Sequence, residues 1–380
     1  MTFLDQFFTV TPTGFRKILF VNWPLVLLLI AVSCIGFLML YSVAGGAFEP
    51  WAQDQMVRFA AGLVAMFIVA FIHIRFWRSI TPFIYIGALV LLVAVELMGS
   101  VGMGAQRWIN LGFIRLQPSE VAKIAVVMVL AMYYDWLDPE KVSRPFWVVL
   151  PLLLTFAPAA LTLLQPDLGT ALLIVASGAV IMFLAGVSIW YFLAAIAAVG
   201  GAITAVFLSW GTSWQLLKDY QYRRIETFLD PELDPLGAGY HISQSKIALG
   251  SGGFEGRGFM QGTQSRLNFL PEKHTDFIFT TLAEEFGYVG TTFLLVLYTL
   301  IIGFCIHAML INRDRFGALL IGGVAATFFL YFAINMGMVM GLLPVVGVPL
   351  PLVSYGGSAM LVLLGAFGLV QSAHIHRPRG

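Results

Sequence analysis

Ionisable residues inside or at the ends of long apolar stretches are the first candidates for chemistry in this sequence. A charge in such a position is costly and usually functional. The set is small, and its members are Glu96, Glu120, Lys123, Asp167, Asp276, Glu284, Glu285 and His307. His307 lies near the end of its apolar stretch, and we interpret it as a structural or interfacial histidine.

Asp276 is the last acid before a strongly apolar stretch, and Lys273 precedes it by three residues. Partial desolvation raises the pKa of a carboxyl group, whereas nearby cations lower it, and proteins tune a general base by this balance. An Asp at this place is also a good helix cap. Both roles are compatible in one residue.

Glu120 and Lys123 stand three residues apart, a spacing that places them on one face of a helix. They form either an ion pair that neutralises itself or the polar floor of a ligand site, and the sequence leaves both open. Asp167 follows Gln165-Pro166. A proline and an acid in a first turn favour a helix start, and only secondarily a site.

Glycines crowd the segment from Gly237 to Gly262, and Lys246, Arg257 and Arg266 lie among or just after them. Consecutive backbone N–H groups in such a segment can bind phosphate. The spacing matches neither a Walker loop nor a dinucleotide fingerprint. A flexible loop and an anion site therefore both remain possible.

The proline- and glycine-rich residues 343–358 predict a rigid outer loop before the last apolar stretch. Non-helical backbone at membrane depth is tolerated only where protein or a cavity covers it. We expect this loop to form a re-entrant cavity wall.

The elements that carry these residues follow from composition. Of 380 residues, 59% are hydrophobic and 11% are charged, with a net charge of +1, whereas soluble proteins carry roughly 25% charged residues. This excludes an ordinary soluble enzyme, a disordered chain and a nucleic-acid binder. The sequence predicts an all-α polytopic membrane protein.

A membrane helix needs about 20 mainly apolar residues. Ten transmembrane helices are predicted, near 22–42, 57–73, 80–98, 120–136, 147–164, 168–186, 188–209, 277–307, 316–342 and 355–373.

The distribution of Lys and Arg predicts the orientation of these helices. With both N and C termini cytoplasmic, ten basic residues lie in inner segments, whereas the short outer loops hold only Arg58, Arg107 and Arg115. Residues 211–276 then form a large extracytoplasmic loop before the eighth helix, within a single domain covering 1–380. We expect short helices and glycine-rich turns in this loop.

Polar, basic and glycine-rich features thus converge on the outer face. An enzyme there needs an activated substrate delivered in the membrane, such as a polyprenyl-diphosphate-linked sugar. A transporter is the rival class, because buried charges and broken helices also mark permeation pathways. Composition and spacing leave both classes open.

Several motifs together resemble the SEDS family (shape, elongation, division and sporulation proteins) over nearly the whole chain. They are Gln106-Arg107-Trp108, Gln117-Pro118-Ser119-Glu120, Gln165-Pro166-Asp167, Asp234-Pro235-Leu236-Gly237, Gly262-Thr263-Gln264, Leu270-Pro271-Glu272-Lys273-His274-Thr275-Asp276 and Ser354-Tyr355-Gly356-Gly357-Ser358. The spelling of Gly262-Thr263-Gln264 and Thr275-Asp276 resembles the elongation members more than the division members.

The resemblance implies a peptidoglycan glycosyltransferase of the inner membrane that polymerises lipid II, with Asp276 as catalytic base. Arg107, Glu120 and Lys123 match positions lining the family's central cavity and are expected to bind substrate. The other motif residues expected to bind substrate are Asp167, Gln244, Ser245, Lys273, His274, Ser354 and Tyr355.

The resemblance also implies partners. A class B penicillin-binding protein would crosslink the strands, and scaffold proteins of the elongation machinery would join them. No organic cofactor is implied, and a divalent cation (Mg²⁺ or Mn²⁺) would be bound partly by the substrate's diphosphate. A lipid II flippase is the alternative function, and a structural scaffold is a distant third.

Overall fold

The computed structural model describes residues 14–98, 100–102, 105–110, 112, 115–212, 215–216, 222, 226, 229–230, 238–263 and 273–378. Arg266 and the Asp234–Gly237 motif lie outside these residues. Eleven long helices form the described part of the chain. They are α1 Trp23–Val43, α2 Ala52–Phe71, α3 Ile74–Met98, α4 Pro118–Trp136, α5 Pro145–Leu164, α6 Leu168–Leu184, α7 Ile189–Ser209, α8 Ala238–Ser251, α9 Ile278–Leu310, α10 Arg315–Val339 and α11 Gly357–Ile375.

A helix coincides with each of the ten apolar segments, and α8 is the additional helix, in the large loop. Within the described residues, eight helices are long and apolar enough to cross a membrane. The other two are α4, which carries Glu120, Lys123 and Asp135, and α6, which has 17 residues. The count of ten spans stays a prediction.

The prediction of an all-α chain omitted a small antiparallel sheet between α3 and α4. Its strands are β1 Ser100–Gly102, β2 Ala105–Asn110 and β3 Arg115–Leu116, in the order β1-β2-β3. Ser100 is the register partner of Trp108, and Ile109 is that of Leu116. Strands β1 and β3 are shorter than the four residues that period-2 alternation needs, and the six residues of β2, Ala-Gln-Arg-Trp-Ile-Asn, do not alternate.

Buried residues concentrate in α4, α10 and α11, which form the centre of the bundle. Helix α7 lies at its edge, because Ser209 is the only buried residue of this fully described helix. An apolar helix with so little protein contact suits a lipid-facing position.

Helix α9 is broken at Gly287, whose φ of 62° and ψ of −156° are not helical. A break at this point removes two backbone hydrogen bonds, those that would join residue 284 to 288 and residue 285 to 289. Two carbonyls and two N–H groups are therefore left without helical partners. In an apolar surrounding each of them needs another partner.

The segment 252–263, which we call the glycine loop, provides those partners. Its N–H groups donate to α9 carbonyls, and its carbonyls accept from α9 N–H groups. The four bonds are Arg257 to Glu284 (3.0 Å), Gly258 to Glu285 (3.0 Å), Tyr288 to Gly253 (2.9 Å) and Val289 to Phe254 (3.2 Å). The loop therefore replaces, group for group, the bonds that the break removes.

Close approach of two backbones explains the glycines. A Cβ at Gly252 would lie 2.0 Å from the carbonyl oxygen of Ala283, and one at Gly256 would lie 2.2 Å from that of Glu285. The N–H groups of Arg257 and Gly258 are already used, so they are not available for phosphate. The anion-cradle interpretation is therefore wrong for these two N–H groups, and close packing replaces the flexible-loop alternative.

We expect Gly256→Ala to destabilise the protein by about 2 kcal/mol or more. Its φ of +84° disfavours any side chain, and the new methyl group would displace the loop from the broken helix. Thermal unfolding in detergent measures the effect. Gly250→Ala is the matched control, because a Cβ there meets nothing within 4 Å. Equal melting temperatures for the two variants would contradict the packing role.

Candidate functional site

Asp276 is partly buried in the turn that leads into α9. The N-cap position of α9 is Phe277, so the capping position predicted for Asp276 shifts by one residue. A Cβ built at Gly347 would lie 3.6 Å from Oδ2 of Asp276, so this carboxylate faces the chain before α11. The prediction that an acid stands just before the start of this helix agrees with the structure.

Residues 343–356, which we call the proline loop, face this turn from the opposite side. They contain no helix or strand, yet Leu350, Val353 and Ser354 are buried. The hydroxyl group of Tyr298 donates to the carbonyl of Pro351 (2.7 Å). The irregular backbone at residues 348–354 is thus largely covered by protein, as a cavity wall requires, whereas residues 343–345 and 347 are exposed.

Glu120 and Lys123 form a buried ion pair on α4, with 2.7 Å between Nζ and Oε1. Tyr331 of α10 completes the group, because its hydroxyl donates to Glu120 and accepts from Lys123. Glu120 is 5% exposed and Lys123 is 1% exposed. Tyr331 also lines a small cavity with Pro349, Ser354 and residues of α11. The pair is therefore neutralised internally, yet it reaches a cavity wall through Tyr331.

Arg107 and Asp167 bind the protein itself at the start of α6. The guanidinium of Arg107 donates to the carbonyls of Gln165 (3.1 Å between Nε and O) and Pro166. Asp167 caps α6 by accepting from the N–H (3.2 Å) and hydroxyl (2.8 Å) of Thr170. The helix-start interpretation of Asp167 is confirmed. The positive charge of Arg107 meets carbonyl dipoles here rather than a carboxylate.

Aromatic and charged side chains surround His274 and Tyr355 beside the start of α9, and we call this group the rim cluster. The ring of Trp51 stacks on His274 with 4.5 Å between centroids. Arg58 lies 4.9 Å from the ring centroid of Tyr355 and pairs with Asp54 at 3.3 Å. The Tyr355 hydroxyl also bonds to Asp54 (3.3 Å). The cluster presents stacked rings and one cation next to the Asp276 turn.

Ser245, another residue predicted to bind substrate, is also bonded within the protein. It is fully buried, and its hydroxyl bonds to Thr280 (3.0 Å) and to the carbonyl of Val339 (2.9 Å). These bonds join α8 to α9 and α10, so the hydroxyl has a packing role. Gln244, its neighbour on α8, is partly buried.

Lys273 is also partly buried, and this burial lowers the pKa of its ammonium group below the usual value of 10.5. A less solvated cation interacts more strongly with an anion than one in bulk water. Lys273 therefore suits a role beside a diphosphate.

Sequence reasoning missed five residues of this region: Trp51, Asp54, Arg58, Tyr331 and Asn335. Asp54 and Arg58 carry a usable signal, because acid and base four residues apart share a helix face. Tyr331 and Asn335 are polar groups inside an apolar helix, which is also a usable signal. Trp51 carries none.

The described residues offer no complete ligand set for a divalent cation. Within the described residues, no three His, Cys, Asp or Glu side chains come together in a way that could hold a metal ion. Mg²⁺ commonly takes one or two carboxylates and completes its shell with water and phosphate oxygens. The described side chains thus do not fit a metal site made by protein alone.

Sequences of known proteins align with almost all of the chain. It is 46% identical over 358 residues to the peptidoglycan glycosyltransferase MrdB of Escherichia coli K12, with 93% of each chain covered. It is 33% identical to the peptidoglycan glycosyltransferase RodA of Treponema pallidum, covering 92% of this chain and 96% of that one.

Solved structures agree with these relatives. One chain from a study of a peptidoglycan synthase complex that coordinates polymerization and crosslinking superposes with a TM-score of 0.81. It is 32% identical, with 93% of this chain and 97% of that chain covered. The crystal structure of the Thermus thermophilus rod shape determining protein RodA gives a TM-score of 0.71 at 28% identity, covering 95% and 98%.

The model of the cell cycle protein family FtsW/RodA/SpoVE matches residues 22–379. This range includes the Asp276 turn, the proline loop, the buried ion pair and all eleven helices. The apolar helices and this match together make the chain a multi-pass membrane protein. The chain belongs to the FtsW/RodA/SpoVE family, the SEDS proteins that its motifs resemble, and within it is most like RodA.

Proposed function

We propose that this chain is a peptidoglycan glycosyltransferase that polymerises lipid II for cell elongation and rod shape. The observation that carries the proposal is Asp276, a partly buried carboxylate between a helix start and the irregular proline loop. A base in this setting can accept a proton from a substrate hydroxyl. The relatives named as glycosyltransferases support the same reaction.

In the proposed reaction, Asp276 takes the proton from the 4-hydroxyl of the acceptor sugar. The oxygen attacks the anomeric carbon of the donor, and the bond from that carbon to undecaprenyl diphosphate breaks. One attack inverts the α-linked donor into a β-1,4 linkage. Lys273 and Arg58 stand on the same rim and stabilise negative charge on the leaving diphosphate.

Glu120, Lys123 and Tyr331 are proposed as the polar floor of the substrate cavity, and Arg107 as a fixed cation beside it. A Mg²⁺ or Mn²⁺ ion would enter with the diphosphate, which supplies the oxygen ligands that the described side chains lack. No organic cofactor takes part in this reaction.

We further propose ten spans, with both termini in the cytoplasm and the site on the outer face of the inner membrane. The excess of Lys and Arg in the inner loops supports this orientation. A class B penicillin-binding protein is the proposed partner that crosslinks the new strands, with elongation scaffold proteins beside it. The similarity to a chain from a polymerising and crosslinking complex supports the first of these partners.

A lipid II flippase is the second candidate, and the buried Glu120–Lys123 pair favours it, because intramembrane charges mark permeation pathways. Reconstituted vesicles that move labelled lipid II across the bilayer would support the flippase. Vesicles that polymerise lipid II without moving it would exclude it.

Asp276→Asn should lower polymerisation by about 10²-fold or more, because the amide cannot accept the proton. Purified protein with lipid II and the partner transpeptidase, assayed for glycan strands on a gel, measures this. Glu255→Gln is the control, since Glu255 is an exposed carboxylate in the same outer loop. Normal strand synthesis by folded Asp276→Asn protein would refute Asp276 as the base.

The ion pair can be tested by a double variant. Lys123→Met leaves Glu120 buried without its cation, which should cost about 3–5 kcal/mol of stability. Adding Glu120→Gln should restore the melting temperature, because no buried charge remains.

If the pair is a substrate floor, the stable double variant still polymerises poorly. If the pair only neutralises itself, the double variant regains full activity, and the substrate role is wrong. Gel assays and melting curves on the same samples separate these outcomes.

We expect diphosphate binding to depend on pH through Lys273. Because burial lowers its pKa, the ammonium group loses its charge at a lower pH than a free lysine does. Binding of undecaprenyl diphosphate should therefore weaken as pH rises through that lowered pKa. Lys273→Arg stays charged and should move the weakening to higher pH.

Binding titrations across alkaline pH measure this shift. Lys141→Arg, in an exposed loop at the opposite end of the molecule, should keep the profile of the unmodified protein. Identical profiles for Lys273→Arg and the unmodified protein would contradict a diphosphate contact by Lys273.

A further inference from the structure

Three consecutive backbone carbonyls at the Asp276 turn are each held by a group from elsewhere in the chain. Two of the donors come from the proline loop, and the third comes from α10. The bonds run from the N–H of Tyr355 to His274 (2.9 Å), from the hydroxyl of Ser354 to Thr275 (2.5 Å) and from Nδ2 of Asn335 to Asp276 (2.9 Å). Three successive residues of this turn are therefore fixed by partners far away in the sequence.

Asn335 is the member of this set that joins two segments. Its amide nitrogen donates to the carbonyl of Asp276 and also to that of Val348 (2.7 Å). Val348 follows Gly347, whose Cα faces the Asp276 carboxylate. One amide group thus holds both the backbone that carries the acid and the wall that the acid faces.

The Asn335 amide satisfies two carbonyls and leaves its own oxygen unpaired. Asn335 is fully buried, and its Oδ1 has no hydrogen-bond partner within the described residues. A buried acceptor without a partner costs about 1–3 kcal/mol. An apolar residue on α10 would avoid that cost, but it would leave the two carbonyls unheld.

The two other donors, Ser354 and Tyr355, are less specific to the position of Asp276. Ser354 also accepts from the N–H of Leu350 (2.8 Å), so its hydroxyl belongs to the folding of the proline loop itself. Tyr355 contributes a backbone N–H, which any residue except proline would supply. Asn335 alone of the three reaches the turn with a side chain from a transmembrane-length helix.

We propose that Asn335 is a positioning residue, which sets the place of the Asp276 carboxylate relative to the proline loop. It acts through the backbone and does not touch the reacting atoms. Misplacing a catalytic group by about 1 Å can lower a rate by about 10²-fold. The inference rests on the proposed role of Asp276 as base.

The test compares Asn335→Ala and Asn335→Gln with the control Thr327→Val. Thr327 lies two turns earlier on α10, is equally buried, and bonds to Ser177 (3.1 Å), so its loss weakens packing away from the Asp276 turn. Purified protein with lipid II and the partner transpeptidase gives kcat and KM for each variant. Hydrogen exchange measures the protection of the backbone around residues 275–280.

We expect Asn335→Ala to lower kcat by about 10²-fold with KM changed less than about threefold, and to speed exchange at residues 275–280. Asn335→Gln keeps both donors on a longer arm and should recover part of kcat. Thr327→Val should keep kcat within about twofold even where its melting temperature falls. Asn335→Ala protein with an unchanged kcat and unchanged exchange overturns the proposal.

The experiments distinguish a failure of the proposed function from a failure of the proposed role of Asn335. If Asp276→Asn polymerises normally, Asp276 is not the base, and kcat of Asn335→Ala no longer reports on positioning. Hydrogen exchange still does, because the loss of protection at residues 275–280 does not depend on catalysis. Unchanged exchange in Asn335→Ala would then refute the positioning role on its own.

Discussion

Backbone polar groups that are removed from water must find partners within the chain, and the irregular parts of this protein are built around that requirement. The break at Gly287 frees four backbone groups, and the glycine loop pairs with all four. Residues 348–354 of the proline loop are largely buried without being helical, and donors from α2, α9 and α10 meet the carbonyls of Ser354, Pro351 and Val348. Both segments are therefore well defined although neither is regular.

These two irregular segments lie on either side of the Asp276 turn in the chain order, and each is tied to α9. The glycine loop fixes the first turns of α9 from one side. The proline loop, with Asn335, fixes the residues that precede it. Asp276 thus stands where two constraints meet, and the backbone that carries its carboxylate is held by these bonds. A proton acceptor benefits from such rigidity, because pre-organised geometry lowers the cost of reaching the transition state.

Buried charged side chains also have partners within the chain. The buried Lys123 has Glu120 and Tyr331, Asp167 has Thr170 and Gln117, and Glu284 accepts from Thr263. At the rim, Arg58, Asp54 and Tyr355 contact one another at the edge of the described turn. These rim groups are partly or fully exposed, whereas the buried charged groups bond to neighbouring helices and loops. This separation explains why Ser245 and Asp167, both predicted to bind substrate, have packing and capping roles.

The sequence by itself determined the membrane class, the approximate positions of the ten apolar helices α1–α7 and α9–α11, and the place of Asp276 at the start of α9. These features follow from local composition, since about 20 apolar residues in a row and a last acid before them are visible without any fold. It also indicated the ion pair, because a spacing of three residues is a local property of a helix. Tertiary structure alone decided that the glycines serve close backbone packing, that Tyr331 joins the ion pair, and that Asn335 holds the Asp276 turn. Each of these joins residues far apart in the chain, such as Asn335 to Asp276 or Lys123 to Tyr331. Hydrogen bonds of this kind depend on how helices pack, and no local pattern of residue types encodes which distant group will lie within 3 Å.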